Sequence, residues 1–202
     1  MKAVSFYLKE VFITMMYLVI FAALDLGVLC IDDSAMWLKY LLCGVCLVCF
    51  IGIVGLMFFK EGESAVKVRR GNDLNREQII KTGREYPINT VEEYKWWKGF
   101  YIGFWTCIPV ILLMLLNFLF GLNDPTNGQA GGVAALLYIV VFSFFMTNSQ
   151  VKIAPSQYYF TLLIIPVLVL TIGIGYILGA KKAERDYAKI QERKRAIHGD
   201  KI

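Results

Sequence analysis

The sequence contains almost no histidine: the only one in 202 residues is His198, near the carboxyl end. It also contains no Gly-x-Ser-x-Gly, no His-Glu-x-x-His and no glycine-rich phosphate loop. An enzyme needs a nucleophile, a base and an orienting group that converge on one point. No motif of this chain supplies such a set, so we predict no cofactor and find no positive sign of catalysis.

The number of cysteines is odd, which does not favour a disulfide framework. Cys43, Cys46 and Cys49 have a spacing that resembles a metal site. In a helix, however, successive steps of three turn the side chains progressively around the axis, so the three thiols cannot converge on one ion. The cysteine spacing therefore predicts helix packing and no metal.

Signals for secretion and glycosylation are also missing. No Asn-x-Ser/Thr acceptor is present, and the first apolar segment runs for about 22 residues, longer than the roughly 7–15 residues of a signal-peptide core. Leu24–Gly27 does not form a small-residue cleavage site. We expect a retained first helix in a plasma membrane, with a bacterial source favoured.

Long apolar segments are abundant, and hydrophobic residues make up 57% of the chain, above the roughly 45–50% that is typical of soluble domains. A membrane-spanning helix needs about 20 apolar residues. Four of the five segments reach that length, and only Ala130–Met146 does not. The five segments are Leu8–Leu29, Trp37–Phe59, Gly99–Leu122, Ala130–Met146 and Tyr158–Ala180.

The basic residues predict the orientation of these segments. Nine Lys/Arg residues lie between Lys60 and Lys98, and eight more follow Ala180. The turns Cys30–Met36 and Asn123–Gln129 contain no basic residue. Since basic residues near span ends concentrate on the cytoplasmic side, we expect both termini and residues 60–98 to be cytoplasmic, with 181–202 as a basic helical tail.

Five crossings would place this basic tail on the outer side, so one segment is expected not to cross. Ala130–Met146 would be only about 25 Å long as a helix. Pro125 and Gly128 precede it, and Gly131 and Gly132 lie at its start. We therefore predict an all-α polytopic transmembrane bundle. It has four spanning helices, a fifth short or re-entrant hydrophobic helix, and helical cytoplasmic extensions. Five crossings with an exceptional tail remain the alternative.

Helix signals outside the lipid predict four further features. The second span should continue as helix until Gly71-Asn72, and a short amphipathic helix, Leu74–Lys81, should follow and end at Thr82-Gly83. Thr90–Glu93 matches a capping box and predicts the start of the third long helix. The last helix should continue past Ala180.

Two glycine pairs have the spacing that allows close contacts between membrane helices. These are Gly99 with Gly103 and Gly175 with Gly179. Small residues four apart let helix backbones approach each other. The pairs predict close helix crossings inside the bundle.

Acidic residues cluster at the outer side of the expected bundle. Asp25 interrupts the first span, and Lys39 begins the next span on the same side. An ionisable residue within a membrane span suggests a functional site, because an unpaired charge in hydrocarbon costs several kcal/mol. Asp32, Asp33 and Asp124 add negative charge there. One interpretation is an outer site for a cation or amine; the other is a solvated rim.

A seam of mostly apolar residues runs along the last helix beyond the membrane. The seam consists of Ala180, Ala183, Tyr187, Ile190, Lys194 and Ile197, at steps of three and four residues. In one interpretation it packs against residues 60–98. In the other, Ala183, Tyr187, Ile190 and Ile197 dock a second copy of the chain or a partner protein.

These patterns favour a small multi-pass membrane protein of transport type, either a solute- or ion-handling component or a subunit of a larger assembly. The alternative is a non-catalytic interaction protein that holds a partner through its cytoplasmic helices. The expected partners are the lipid bilayer and a membrane or cytoplasmic subunit or a second copy. The basic residues flank membrane segments, so they do not indicate nucleic acid.

Overall fold

The computed structural model describes residues 2–29, 36–119 and 163–198. They form four helices, and no strand occurs within these ranges. The helices are α1 (Lys2–Leu29), α2 (Met36–Thr82), α3 (Lys98–Leu119) and α4 (Ile164–His198). The predicted all-α fold is confirmed, whereas the prediction for Ala130–Met146 lies outside the described residues.

Three of the helices are long and apolar enough to cross a membrane. Their apolar stretches are Val4–Phe21 in α1, a stretch that begins at Leu41 in α2 and one that begins at Ile164 in α4. The described part of α3 contributes a shorter apolar stretch, Lys98–Leu112. The helices therefore support a membrane protein with three candidate spans, and a fourth span remains a prediction.

The outward faces of the candidate spans are apolar, as expected for helices in contact with lipid. Val4, Leu8, Phe12 and Met16 follow one face of α1 at intervals of four residues, and all four are exposed. A surface of this kind is rare on soluble monomers. The exposed stripe is therefore consistent with lipid contact.

Helix α4 packs on the two helices, α2 and α3, that also contact α1. Its buried residues Ile164, Leu168 and Ile172 join the core that α1, α2 and α3 complete. Phe50 and Phe58 are the largest core side chains that α2 contributes. Since α4 packs against both α2 and α3, it fixes their relative positions.

The helices alternate in direction. Arg70 of α2 lies against Tyr187 and Glu63 pairs with Lys182, so α2 and α4 are parallel. Helix α3 is antiparallel to α4, because Cys107 contacts Ile165 whereas Gly99 lies against Tyr176.

Helix α1 is antiparallel to α2. The rings of Phe21 and Phe50 are in contact, and near its start α1 places Tyr7 against Tyr101 of α3. The start of α1, residues 60–98 and the last part of α4 consequently lie at one end of the bundle, which we call the tail end.

The predicted helix stop at Gly71-Asn72 is wrong. Helix α2 continues without interruption to Thr82, so Leu74–Lys81 is part of it and not a separate helix. A glycine inside a helix costs only about 1 kcal/mol. The side chain of Asn72 compensates by bonding to Asn89, which holds the following chain against α2. Helix α2 ends at the predicted Thr82-Gly83, where Gly83 has φ 66° and its N–H donates to Ile79 O.

The predicted start of the third helix at Thr90 is also wrong, because α3 begins at Lys98. The backbone groups that would begin a helix there bind elsewhere. Tyr94 N–H donates to Ala65 O of α2, and Val91 O accepts a hydrogen bond from the Lys98 side chain. The extensions of α2 and α4 beyond their apolar segments are confirmed, and that of α3 is not.

Candidate functional site

The predicted outer acidic site lies mostly outside the described residues. Asp32, Asp33 and Asp124 fall in the gaps between the described ranges. Asp25 and Lys39 belong to α1 and α2, but the structure describes only their backbone. The outer site therefore stays a prediction.

The first half of the seam packs within the chain. Ala183 is buried against Val66 of α2, and Tyr187 packs on the same cluster. The Arg70 guanidinium lies 4.1 Å from the centre of the Tyr187 ring. Further along α4, Ile190 is exposed, and only the backbone of Ile197 is described.

Sequence reasoning missed an ionisable cluster at the tail end of the bundle. Its first member is Glu10, whose side chain is 6% exposed although it lies within the Val4–Phe21 candidate span. Among the described residues its one ion pair is a long contact of 4.0 Å with Lys9. Burying a carboxylate in this way is costly, so the position requires an explanation.

A helical pattern in the sequence could have identified Glu10. Among the side chains of α1 that the structure describes, the buried ones are Glu10, Thr14, Leu18 and Phe21, which follow steps of three and four. Glu10 therefore lies on the face that packs inward, and not on the lipid-facing stripe. Thr14 satisfies its hydroxyl locally by donating to Glu10 O over 2.9 Å.

Lys98 is the cationic member of the cluster and begins α3. It is 2% exposed, and its ammonium donates to Val91 O over 2.7 Å. The ammonium also lies 4.5 Å from the centre of the Phe6 ring of α1. The charges of Glu61, Glu92 and Glu10 act on it. Lys98 is thus a buried cation whose position is fixed by contacts with two segments of the chain.

Tyrosine side chains complete the cluster on the α4 side. Tyr176 is fully buried and stacks on Tyr94, with ring centres 5.5 Å apart. Its hydroxyl lies near the Lys95 backbone and Glu61, but it makes no hydrogen bond of standard geometry within the described part of the chain. A buried hydroxyl without such a bond is unusual.

Tyr94, which lies outside the candidate spans, remains neutral near physiological pH. Burial and the nearby Glu184 carboxylate raise the pKa of Tyr94, and Arg69 opposes the shift. The tyrosine therefore supplies the cluster with a polar hydroxyl and no charge.

The segment between α2 and α3 positions Lys98. We call residues 83–97 the strap. Asn72 holds the strap through two hydrogen bonds with the Asn89 backbone, of 2.9 and 3.0 Å. Arg76 adds a 3.2 Å ion pair with Glu93. Because Lys98 follows the strap directly and bonds to Val91, these contacts fix the charge at the bundle end.

The positive charges near Glu10 compensate it only weakly. Lys98 acts on two carboxylates, Glu10 and Glu61. Lys9 is the other cation near Glu10, but its side chain is 69% exposed and its ammonium lies 4.0 Å away. The described residues contain no group of three or more His, Cys, Asp or Glu side chains that could hold a metal ion. Because Glu10 is buried and its partner Lys9 is solvated, this carboxylate is suited chemically to taking up one proton or one monovalent cation.

Comparisons with protein-family models, with curated proteins and with solved structures found no match to this chain.

Proposed function

We propose that the protein is a small multi-pass membrane protein of transport type that takes up a monovalent cation or a proton at the cluster of Glu10, Glu61 and Lys98. The observation that carries this proposal is the buried carboxylate of Glu10 inside a candidate span. Ionisable residues in membrane spans are rare and usually mark ion pathways or proton relays.

The proposed chemistry follows from the weak compensation of Glu10. Lys98 acts on both Glu10 and Glu61, and the exposed Lys9 reaches Glu10 only at 4.0 Å. Glu10 therefore gains from a further positive charge, because an uncompensated buried charge costs several kcal/mol. A proton or a monovalent cation supplies that charge and can leave again. The ammonium of Lys98 lowers the repulsion between the two carboxylates when the site is empty.

The outer acidic residues provide a second contact in this proposal. Asp25 is 15 residues after Glu10 on the same helix, which corresponds to about 22 Å along the axis. A hydrocarbon core is ~30 Å thick, so the two helix positions are separated by most of a bilayer. In the proposal Asp25, with Lys39 as its resting partner, is the contact at the far end.

Ion flux into proteoliposomes that contain the full chain tests the proposal. We expect the wild-type protein to exchange protons for Na⁺ or K⁺ across the membrane, detected with a trapped pH-sensitive dye. Glu10→Gln keeps the shape of the side chain and removes its charge, so flux should fall at least tenfold. Glu77→Gln, an exposed position on α2, should leave it unchanged. Equal flux in wild type and Glu10→Gln, or none in wild type, would contradict the proposal.

A second candidate function is a non-catalytic interaction protein. A groove of about 1000 Å³ lies between the last parts of α2 and α4, and Leu74, Tyr187 and Ile190 are among the residues that line it. Charged side chains of both signs form its rim, including Arg69, Glu77 and Lys194. An amphipathic partner helix with mixed charges would match this lining.

Photocrosslinking in membranes tests the second candidate. A photoreactive residue at Ile190 should give a discrete product with a partner helix, and one at Glu192, on the opposite face of α4, should not. Contacts only between copies of this chain, or the same products at both positions, would count against it.

A further inference from the structure

A row of basic residues on α4 lies just beyond the apolar part of this helix. Lys181, Arg185 and Lys189 follow one another at intervals of four residues, so they lie on one face of the helix. All three are exposed. Leu178 continues this face towards the membrane and is 51% exposed. The face therefore changes from apolar to cationic within one helical turn.

This face forms one wall of a groove with α2. The groove has a volume of about 440 Å³, and Phe59 of α2 forms its opposite side. Lys182 also borders it, but its ammonium is engaged 2.7 Å from the Glu63 carboxylate. Asp186 is the one acidic residue in the lining. Positive side chains therefore outnumber negative ones in the groove, and Phe59 and Leu178 form its apolar part.

We propose that this groove binds the headgroup of an anionic phospholipid. Arg185 matches a phosphate in geometry, because a guanidinium can donate two parallel hydrogen bonds to its oxygens. Lys181 and Lys189 add positive charge one turn to either side. The lipid tails would lie along the exposed apolar surface at Leu178 and Ile174, which belongs to the candidate span.

The position of the groove beside the apolar surface of a candidate span favours a lipid over a soluble anion. Basic pockets next to the cytoplasmic ends of membrane helices typically bind anionic headgroups. Orientation by the positive-inside rule requires only that basic residues lie on the correct side. It does not require them to share one face of a helix beside an apolar surface. A bound anionic lipid explains why Lys181, Arg185 and Lys189 do so.

Native mass spectrometry of the purified full chain, titrated with phosphatidylglycerol or phosphatidylcholine, tests the inference. Wild type should retain at least one phosphatidylglycerol and should show no comparable retention of phosphatidylcholine. The double variant Arg185→Gln/Lys189→Gln should bind phosphatidylglycerol roughly 25-fold more weakly, at about fivefold per cation.

The double variant Arg193→Gln/Lys194→Gln is a matched control, because it removes the same two residue types further along α4, outside the lining of the groove. It should bind within twofold of wild type. Lys60→Gln is a second control at membrane depth outside the groove. Lipid binding is compared only for variants that elute at the wild-type volume in size-exclusion chromatography, so that misfolded protein is excluded.

Three results would overturn the inference. One is unchanged binding in Arg185→Gln/Lys189→Gln, and another is an equal loss in Arg193→Gln/Lys194→Gln. The third is displacement of the lipid by a tenfold excess of inorganic phosphate, since the groove would then be a site for free anions. Failure of cation flux would leave this inference intact, because no ion transport enters the measurement.

Discussion

At the scale of single residues, glycines determine how closely α4 approaches its neighbours. A Cβ atom at Gly175 would come within 2.7 Å of Gly55 O, and one at Gly103 within 2.9 Å of Val169 Cα. At Gly179 it would collide with Phe59 O. The close crossings predicted from the two glycine pairs are therefore confirmed, since backbone atoms occupy the space that a side chain would need.

Gly179→Ala should destabilise the bundle. The new methyl group meets helix backbone, which cannot move aside as a flexible side chain can, and overpacking costs roughly 1–3 kcal/mol. Thermal unfolding in detergent should show a lower midpoint than wild type. Gly44→Ala provides the control in a candidate span, because nothing lies within 4 Å of its added Cβ. A midpoint for Gly179→Ala equal to that of Gly44→Ala would refute the packing account.

The sequence alone could predict only part of the arrangement of Glu10 and Lys98. Helical spacing places Glu10 on the inward face of α1, so its burial could have been predicted. The meeting of Glu10, Glu61 and Lys98 could not, because it depends on how three helices and the strap pack. Trp96, Trp97 and Lys98 suggest an interfacial belt when read along the chain; Trp96 is exposed, as such a belt requires, whereas Lys98 is buried.

At the scale of elements, tertiary contacts overrode local helix signals around the strap. The long helical extensions of α2 and α4 could be predicted, because few breakers interrupt them. Gly71 has the properties of a helix stop, but the bonds from Asn72 to the strap favour a continuous α2. The capping-box pattern at Thr90 failed for the same reason, since Tyr94 bonds to Ala65. Single-sequence patterns contain no information about such long-range partners.

Asn72→Ala should loosen the strap. The substitution removes both hydrogen bonds to the Asn89 backbone, each worth about 1 kcal/mol. Limited trypsin digestion should then cleave after Arg84 and Lys95 several-fold faster than in wild type. Gln78→Ala, an exposed position on the same helix, should digest at the wild-type rate. Identical rates in both variants would mean that Asn72 does not hold the strap.

At the scale of the whole molecule, the alternation of helix direction bears on the number of crossings. Since α3 and α4 are antiparallel, Leu119 and Ile164 lie at the same end of the bundle, opposite the tail end. The start of α1, residues 60–98 and the last part of α4 share the tail end, as the distribution of basic residues predicts. This arrangement is the one expected if all four described helices cross the membrane, and the prediction for Ala130–Met146 lies outside the described residues.

The predicted topology places the tail end in the cytoplasm, and lysine labelling tests this most directly. Right-side-out and inside-out vesicles that contain the native chain would be treated with a membrane-impermeant amine reagent and analysed by mass spectrometry. Lys67, Lys81, Lys189 and Lys194 are exposed, and all four should be labelled only in inside-out vesicles. Lys152, outside the described residues, should be labelled only from the other side. Labelling of Lys189 and Lys67 from opposite sides would contradict the account.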